Sequence, residues 1–142
     1  MRTALTFLMP LVTCTALAAA PITIVEDHQT RAAIVLPDDA SDQLKAACAA
    51  MQALIEQSTG AKLEILIAAP DGLVAVHVGP GPYVDALGLD LGDLDDDGYL
   101  IIFPDASNIV ILGPTDWGTE FGVYEFLERY VGVRWLLPGP DG

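Results

Sequence analysis

The sequence predicts an α/β domain in which a mixed sheet of about five strands is backed by two main helices. Three observations lead to it. Apolar residues alternate with other residues at Leu63, Ile65 and Ile67 and again at Val74, Val76 and Val78, the period of a strand. Between Ser41 and Gly60 the residues Leu44, Ala47, Cys48, Met51, Leu54 and Ile55 fall on one helical stripe. A second helical period runs from Trp117 through Phe121, Tyr124 and Leu127 to Val131.

Taken in order, Met1-Arg2 is a short basic start, Ala4 to Val12 an apolar run, and Ala16-Leu17-Ala18 an A-x-A cleavage site. These are the parts of a secretory signal peptide over residues 1–18, so the protein is expected to be secreted or periplasmic. The apolar run is too short to span a bilayer, which needs about 20 apolar residues. Lipidation at Cys14 is the alternative, disfavoured by Thr13 before the cysteine. Cleavage after Ala18 leaves 142 − 18 = 124 residues, enough for one domain, which is expected over residues 19–137.

Ile22 to Val25 and Ala32 to Leu36 read as two short strands or one bent strand. The first main helix follows, capped by Asp39 or Ser41 and ended by Gly60. The two alternating runs at 63–67 and 74–78 flank a Pro70-Asp71-Gly72 turn. Tyr83 to Leu87 is a short helix, and six aspartates between Asp85 and Asp97 make a solvated loop. Tyr99 to Phe103 and Ile109 to Leu112 are strands joined by the turn formers of 104–108.

The closing helix is marked at both ends, by Thr115 and Asp116 at its start and by Gly132 at its C′ position. Its apolar stripe, Trp117, Phe121, Tyr124, Leu127 and Val131, is expected to face the core, with Glu120, Glu125 and Glu128 on or near the wet side. Gly118 and Gly122 each cost about 1 kcal/mol against alanine in a helix, so the pair implies close approach to another backbone. Val133 to Leu137 reads as a last strand, and residues 138–142 begin a linker.

The stretch GTEFGVYEFLERYVGVRWLLPG, from Gly118 to Gly139, resembles the segment closing the N-terminal domain of family 67 alpha-glucuronidases and related secreted bacterial proteins. More distantly it is similar to the second, non-catalytic domain of beta-hexosaminidases. The likeness is dense over 113–139 and a pattern match over 21–112. It implies a zincin-like topology without zinc, set before a (β/α)8 barrel that carries the catalytic carboxylates. The partner it implies is that C-terminal catalytic barrel of the same polypeptide, with a polysaccharide as substrate.

Composition limits the alternatives. With 52% apolar and 18% charged residues the chain is not disordered. Loss of Arg2 leaves five basic against twenty acidic residues, a formal charge of −15 that repels nucleic acid and anionic membranes. Cys48 is then the one cysteine, so no intrachain disulfide forms.

No catalytic residue, cofactor site or firm metal site is expected. Asp93, Asp95 and Asp97 stand at the first, third and fifth positions of a calcium loop, but the twelfth position is Pro104, which leaves a weak calcium candidate. His28, His77 and Cys48 lack zinc spacing. Glycosidases use two carboxylates, yet the acidic residues here are explained by a helix surface and an exposed loop. Gly79-Pro80-Gly81-Pro82 has prolines where a phosphate cradle needs free amides. The aromatics Trp117, Phe121, Tyr124, Phe126, Tyr130 and Trp135 are expected mainly in the core, with Trp117 and Trp135 the exceptions able to stack on a sugar or a neighbouring domain. Arg134, between apolar residues, is expected to tie this domain to the next.

Overall fold

A computed structural model describes residues 21–135. The proposed signal peptide with Cys14, and the stretch 136–142 with its linker, lie outside the described residues.

The chain opens with a small hairpin, β1 (Val25–Glu26) and β2 (Gln29–Thr30), paired antiparallel. Its two turn residues, Asp27 and His28, both have positive φ, the geometry whose twist matches a tight hairpin. The five residues that separate the first two apolar runs in the sequence are thus mostly this hairpin. His28 Nδ1 donates to the Thr59 carbonyl at 2.7 Å and ties the turn to the end of the first main helix.

The main sheet contains β3 (Ala32–Val35), β4 (Ile65–Leu66), β5 (Val74–Val78), β6 (Leu100–Asp105) and β7 (Asn108–Leu112), in the order β4-β3-β5-β7-β6. The first four in that order run parallel and β6 is antiparallel to β7. This is the five-stranded mixed sheet that the alternation predicts. The run at 63–67 forms only a two-residue strand, because it lies at the sheet edge and Leu63 turns into the core instead. The β6–β7 connection is tighter than the five residues expected: Asp105 Oδ1 accepts from Ser107 N at 2.7 Å, and a bulge between Ile102 and Asp105 takes up Pro104, which cannot donate to a ladder.

One face of the sheet, Ile34, Val76, Val78, Ile109 and Ile111, meets α1 (Asp42–Thr59) and α3 (Asp116–Phe126) in a single core with Met51, Ile55, Val123 and Phe126. Ser41 caps α1 by accepting from Leu44 N at 3.2 Å, and Gly60 closes it in the left-handed region. Ser41→Ala is expected to cost about 1 kcal/mol by urea unfolding, since it leaves that amide unpaired. Cys48 is fully buried here, and burial pushes its thiol up to about 12. The opposite face carries α2 (Pro82–Ala86), whose Val84 packs on Val110 and Leu112.

α3 does not end at Phe126. It continues as a π-helical turn over Leu127–Val131, closed by Gly132 at φ 87°. Beyond it, Val133 to Trp135 form no ladder, so the strand expected from Val133 is absent over the described residues. The widened turn spends Val133 N on the Leu127 carbonyl, and Arg134 folds back on the helix end rather than extending. Among the described residues no helix is long and apolar enough to cross a membrane.

Candidate functional site

The core-facing residues of α3 and the turn that continues it are Gly118, Thr119, Gly122, Val123, Phe126 and Leu127. Of the stripe predicted to face the core, Leu127 is buried and Tyr124 and Val131 pack against the core, whereas Phe121 turns outward with Trp117, one of the two expected exceptions. Trp117 is 61% and Phe121 41% exposed, while Tyr124 is partly covered. The reason is spacing. A Cβ on Gly118 would stand 2.1 Å from the Gly98 carbonyl oxygen, and one on Gly122 would stand 2.8 Å from Ile111 Cγ2. At this close approach only Gly118, Thr119 and Gly122 fit, so Trp117 and Phe121 turn outward while Phe126, a turn further on, enters the core.

Thr119 uses its buried hydroxyl twice, accepting from Gly113 N at 2.9 Å and donating to the Thr115 carbonyl at 3.1 Å. Thr115 caps the helix by accepting from Gly118 N and also donates to the Asp96 carbonyl. The aspartate loop is therefore held by its backbone against the start of α3. Its carboxylates stay outside, and Asp93, Asp95 and Asp97 are all exposed. Among the described residues no three His, Cys, Asp or Glu side chains gather to hold a metal.

Outside, Trp117 lies 6.1 Å from Phe121, and Trp135 meets Tyr124 edge to face at 5.3 Å. Tyr130, 48% exposed, touches both Phe126 and the exposed Phe103. Only Phe126 of the six C-terminal aromatics is fully buried. The glutamates each have a local partner. Glu120 accepts from Gln43 Nε2 at 2.6 Å and from Tyr124 OH at 2.9 Å, Glu125 pairs with Arg129, and Glu128 with Arg134 at 3.8 Å. Partial burial, and then the bond to Glu120, raise the Tyr124 phenol above its usual range. Arg134 also donates to the Glu128 carbonyl at 3.1 Å, which satisfies a helix-end acceptor.

A second constellation was not singled out in the sequence. Asp105, at the end of β6, accepts from Asn108 Nδ2 at 2.9 Å and from Tyr83 OH at 3.1 Å. This fixes the Asn108 amide with Oδ1 toward His77 Nε2, 2.9 Å away. Tyr83 stacks on the His77 ring with centroids 4.4 Å apart. His77 is 5% exposed and faces the α2 side. Strand parity signalled which face His77 takes, but nothing in the sequence signalled the β5–β7 register that brings Asn108 near it.

The Ser107 amide, then the Asn108 side chain, hold the Asp105 carboxyl below its ordinary range. A depressed carboxylate contributes stability above its unfolded pKa and loses it as pH falls through the folded value. Asp105→Asn is therefore expected to be less stable than the parent at neutral pH. The difference should vanish below the carboxylate range, and urea midpoints across pH 2 to 7 check it.

With this geometry in place, solved structures give two likenesses. A family GH115 4-O-methyl-alpha-glucuronidase with specificity for decorated arabinogalactans matches with a TM-score of 0.60 at 16% identity, over 75% of this chain and 14% of its own. A GH138 enzyme targeting pectin rhamnogalacturonan II matches with a TM-score of 0.52 at 12% identity, over 72% of this chain and 10% of its own. The fold is similar to that of glycoside hydrolase domains. This chain spans a small part of the length of either enzyme. No family profile and no curated protein matches the sequence.

Proposed function

We propose that this chain is the N-terminal accessory domain of a secreted, alpha-glucuronidase-like glycoside hydrolase that breaks down polysaccharide, and that its outward aromatic face packs on the catalytic barrel of the same polypeptide. The observation that carries the proposal is the outer side of the closing segment, where Trp117, Phe121 and Trp135 stand exposed, Trp117 beside Phe121 and Trp135 against Tyr124. Apolar rings gathered on one surface mark a contact, and their number is high for a domain that is otherwise strongly acidic. Fold likeness to domains occupying 14% and 10% of longer hydrolases supports a domain in a larger polypeptide. The resemblance of Gly118–Gly139 to family 67 N-terminal domains supports the finer assignment, as does the resemblance at longer range to the second domain of beta-hexosaminidases.

In this account Gly118 and Gly122 hold the helix down, while Trp117, Tyr124 and Trp135 meet the neighbour and Arg134 borders it. No residue of this domain is assigned to catalysis. Export rests on the Ala16-Leu17-Ala18 triad, and N-terminal sequencing of the exported protein is expected to begin at Ala19. A lipidated Cys14 at the first position would replace secretion with anchoring. Function is tested by assaying residues 21–142 and the full polypeptide on aryl glucuronides. Activity is expected in the full polypeptide alone, and turnover by the domain that a single Asp or Glu substitution abolishes would overturn the assignment.

The same rings support a second reading, a carbohydrate-binding module in which the Trp117 indole stacks on a sugar. It predicts retention on an insoluble polysaccharide that Trp117→Ala abolishes, without any catalytic neighbour.

A further inference from the structure

A cavity of about 200 Å³ opens on the α2 side of the sheet, beyond the carboxyl ends of β3, β4 and β5. Its place follows from the topology. From β3 the chain crosses by α1 to β4 on one side, and from β5 it leaves toward β7 on the other, so the crossovers diverge between β3 and β5. Parallel sheets present a crevice for ligands where crossovers diverge in this way.

The walls are Val35, Pro37, Ile67, Pro80, Pro82 and the ring of Tyr83. Proline has no amide proton, so much of the Gly79–Pro82 segment offers no donor to a charged oxygen. Two polar side chains line the space, Tyr83 and His77. The Tyr83 hydroxyl is already given to Asp105. The His77 Nε2 proton is given to Asn108, whose orientation Asp105 fixes, so the neutral ring keeps Nδ1 as an acceptor. No described residue bonds to Nδ1, and no buried side-chain polar atom lacks a partner, so Nδ1 is accessible on a residue that lines the cavity.

We propose that this cavity is a binding site for a neutral, monocyclic phenol, held by its ring between the prolines and Tyr83 and by one hydroxyl donating to His77 Nδ1. Size and polarity select that class. A dry cavity of roughly 150 Å³ accepts benzene, so about 200 Å³ suits one substituted ring. A pyranose would bring several hydroxyls to a mainly apolar wall whose two polar side chains, Tyr83 and His77, already hold one hydrogen bond each, and each stranded group costs free energy. An anion would meet the Nδ1 lone pair and a chain of net charge −14. This site lies on the opposite face of the sheet from α3 and does not depend on the accessory-domain proposal.

The test is an amide-resolved NMR titration of the purified protein with p-cresol and, separately, with p-xylene, which has the same shape and no hydroxyl. Saturable shifts at Val35, Ile67, Gly79 and Val84 are expected with p-cresol, with a dissociation constant of about 1 mM or tighter. His77→Phe is expected to weaken p-cresol about tenfold and p-xylene less than about twofold. Ala68→Trp, on the exposed rim, is expected to block both ligands and keeps the test decisive if His77→Phe fails to fold. Absence of saturable p-cresol shifts, equal losses for the two ligands in His77→Phe, or saturation of the same signals by methyl glucoside would each overturn the proposal.

Discussion

Gly118→Ala is expected to destabilise the domain by about 2 kcal/mol or more in urea unfolding. The added methyl would sit 2.1 Å from the Gly98 carbonyl oxygen and 3.2 Å from that of Asp96, both backbone atoms that cannot swing aside. Overpacking of this kind costs about 1 to 3 kcal/mol, and more when the backbone must move. A gain of about 1 kcal/mol in helix propensity offsets only part of it. Moving the loop also strains the Thr115 bond to the Asp96 carbonyl. Gly122→Ala meets the side chains of Ile111 at 2.8 Å and Tyr99 at 3.2 Å, which can adjust, so its cost should be about 1 kcal/mol. Glu125→Ala, which removes a surface pair with Arg129, should cost about 0.5 kcal/mol or less. A Gly118→Ala variant as stable as the parent would mean that the aspartate loop is not docked on α3.

The second large effect is expected only in the longer polypeptide. Trp117→Ser with Phe121→Ser should leave the domain alone within about 0.5 kcal/mol of the parent, because both rings already face water. Burying an aromatic side chain is worth about 1.5 to 3 kcal/mol. Two rings removed from a docked interface should then cost about 3 kcal/mol, a loss of more than about 100-fold in the docking equilibrium. Differential scanning calorimetry of the full polypeptide checks it, since one shared transition in the parent should split into two in the variant.

The sheet and the first helix were legible in the sequence because each signal there is local. Val74, Val76 and Val78 alternate over one strand, and Ser41 and Gly60 bracket one helical stripe, with the caps where the residue types put them. The closing helix was legible as a helix but not in its rotation. Periodicity places Trp117, Phe121 and Tyr124 on one side, and large rings normally decide which side is inside. Here the contact between Gly118 and the Gly98 carbonyl decides, and that contact joins residues twenty apart through a loop whose path has no sequence signature. The strand expected at Val133 failed for a related reason. Arg134 and the widened turn satisfy the helix end locally, an option that β-branched composition does not reveal. The His77, Asn108, Asp105 and Tyr83 group depends on a parallel register between β5 and β7, which only the folded sheet supplies.

The central claim is that the outer face of the closing helix is covered by a neighbouring domain. Trp117 and Trp135, 61% and 50% exposed, are the only two tryptophans of the chain and report on it directly. Hydroxyl-radical footprinting with peptide-resolved mass spectrometry can compare their oxidation in the domain alone and in the full polypeptide. Both should oxidise readily in the isolated domain and be protected several-fold in the full polypeptide. Equal oxidation in the two forms would contradict the account and leave these rings as a surface open to solvent or sugar.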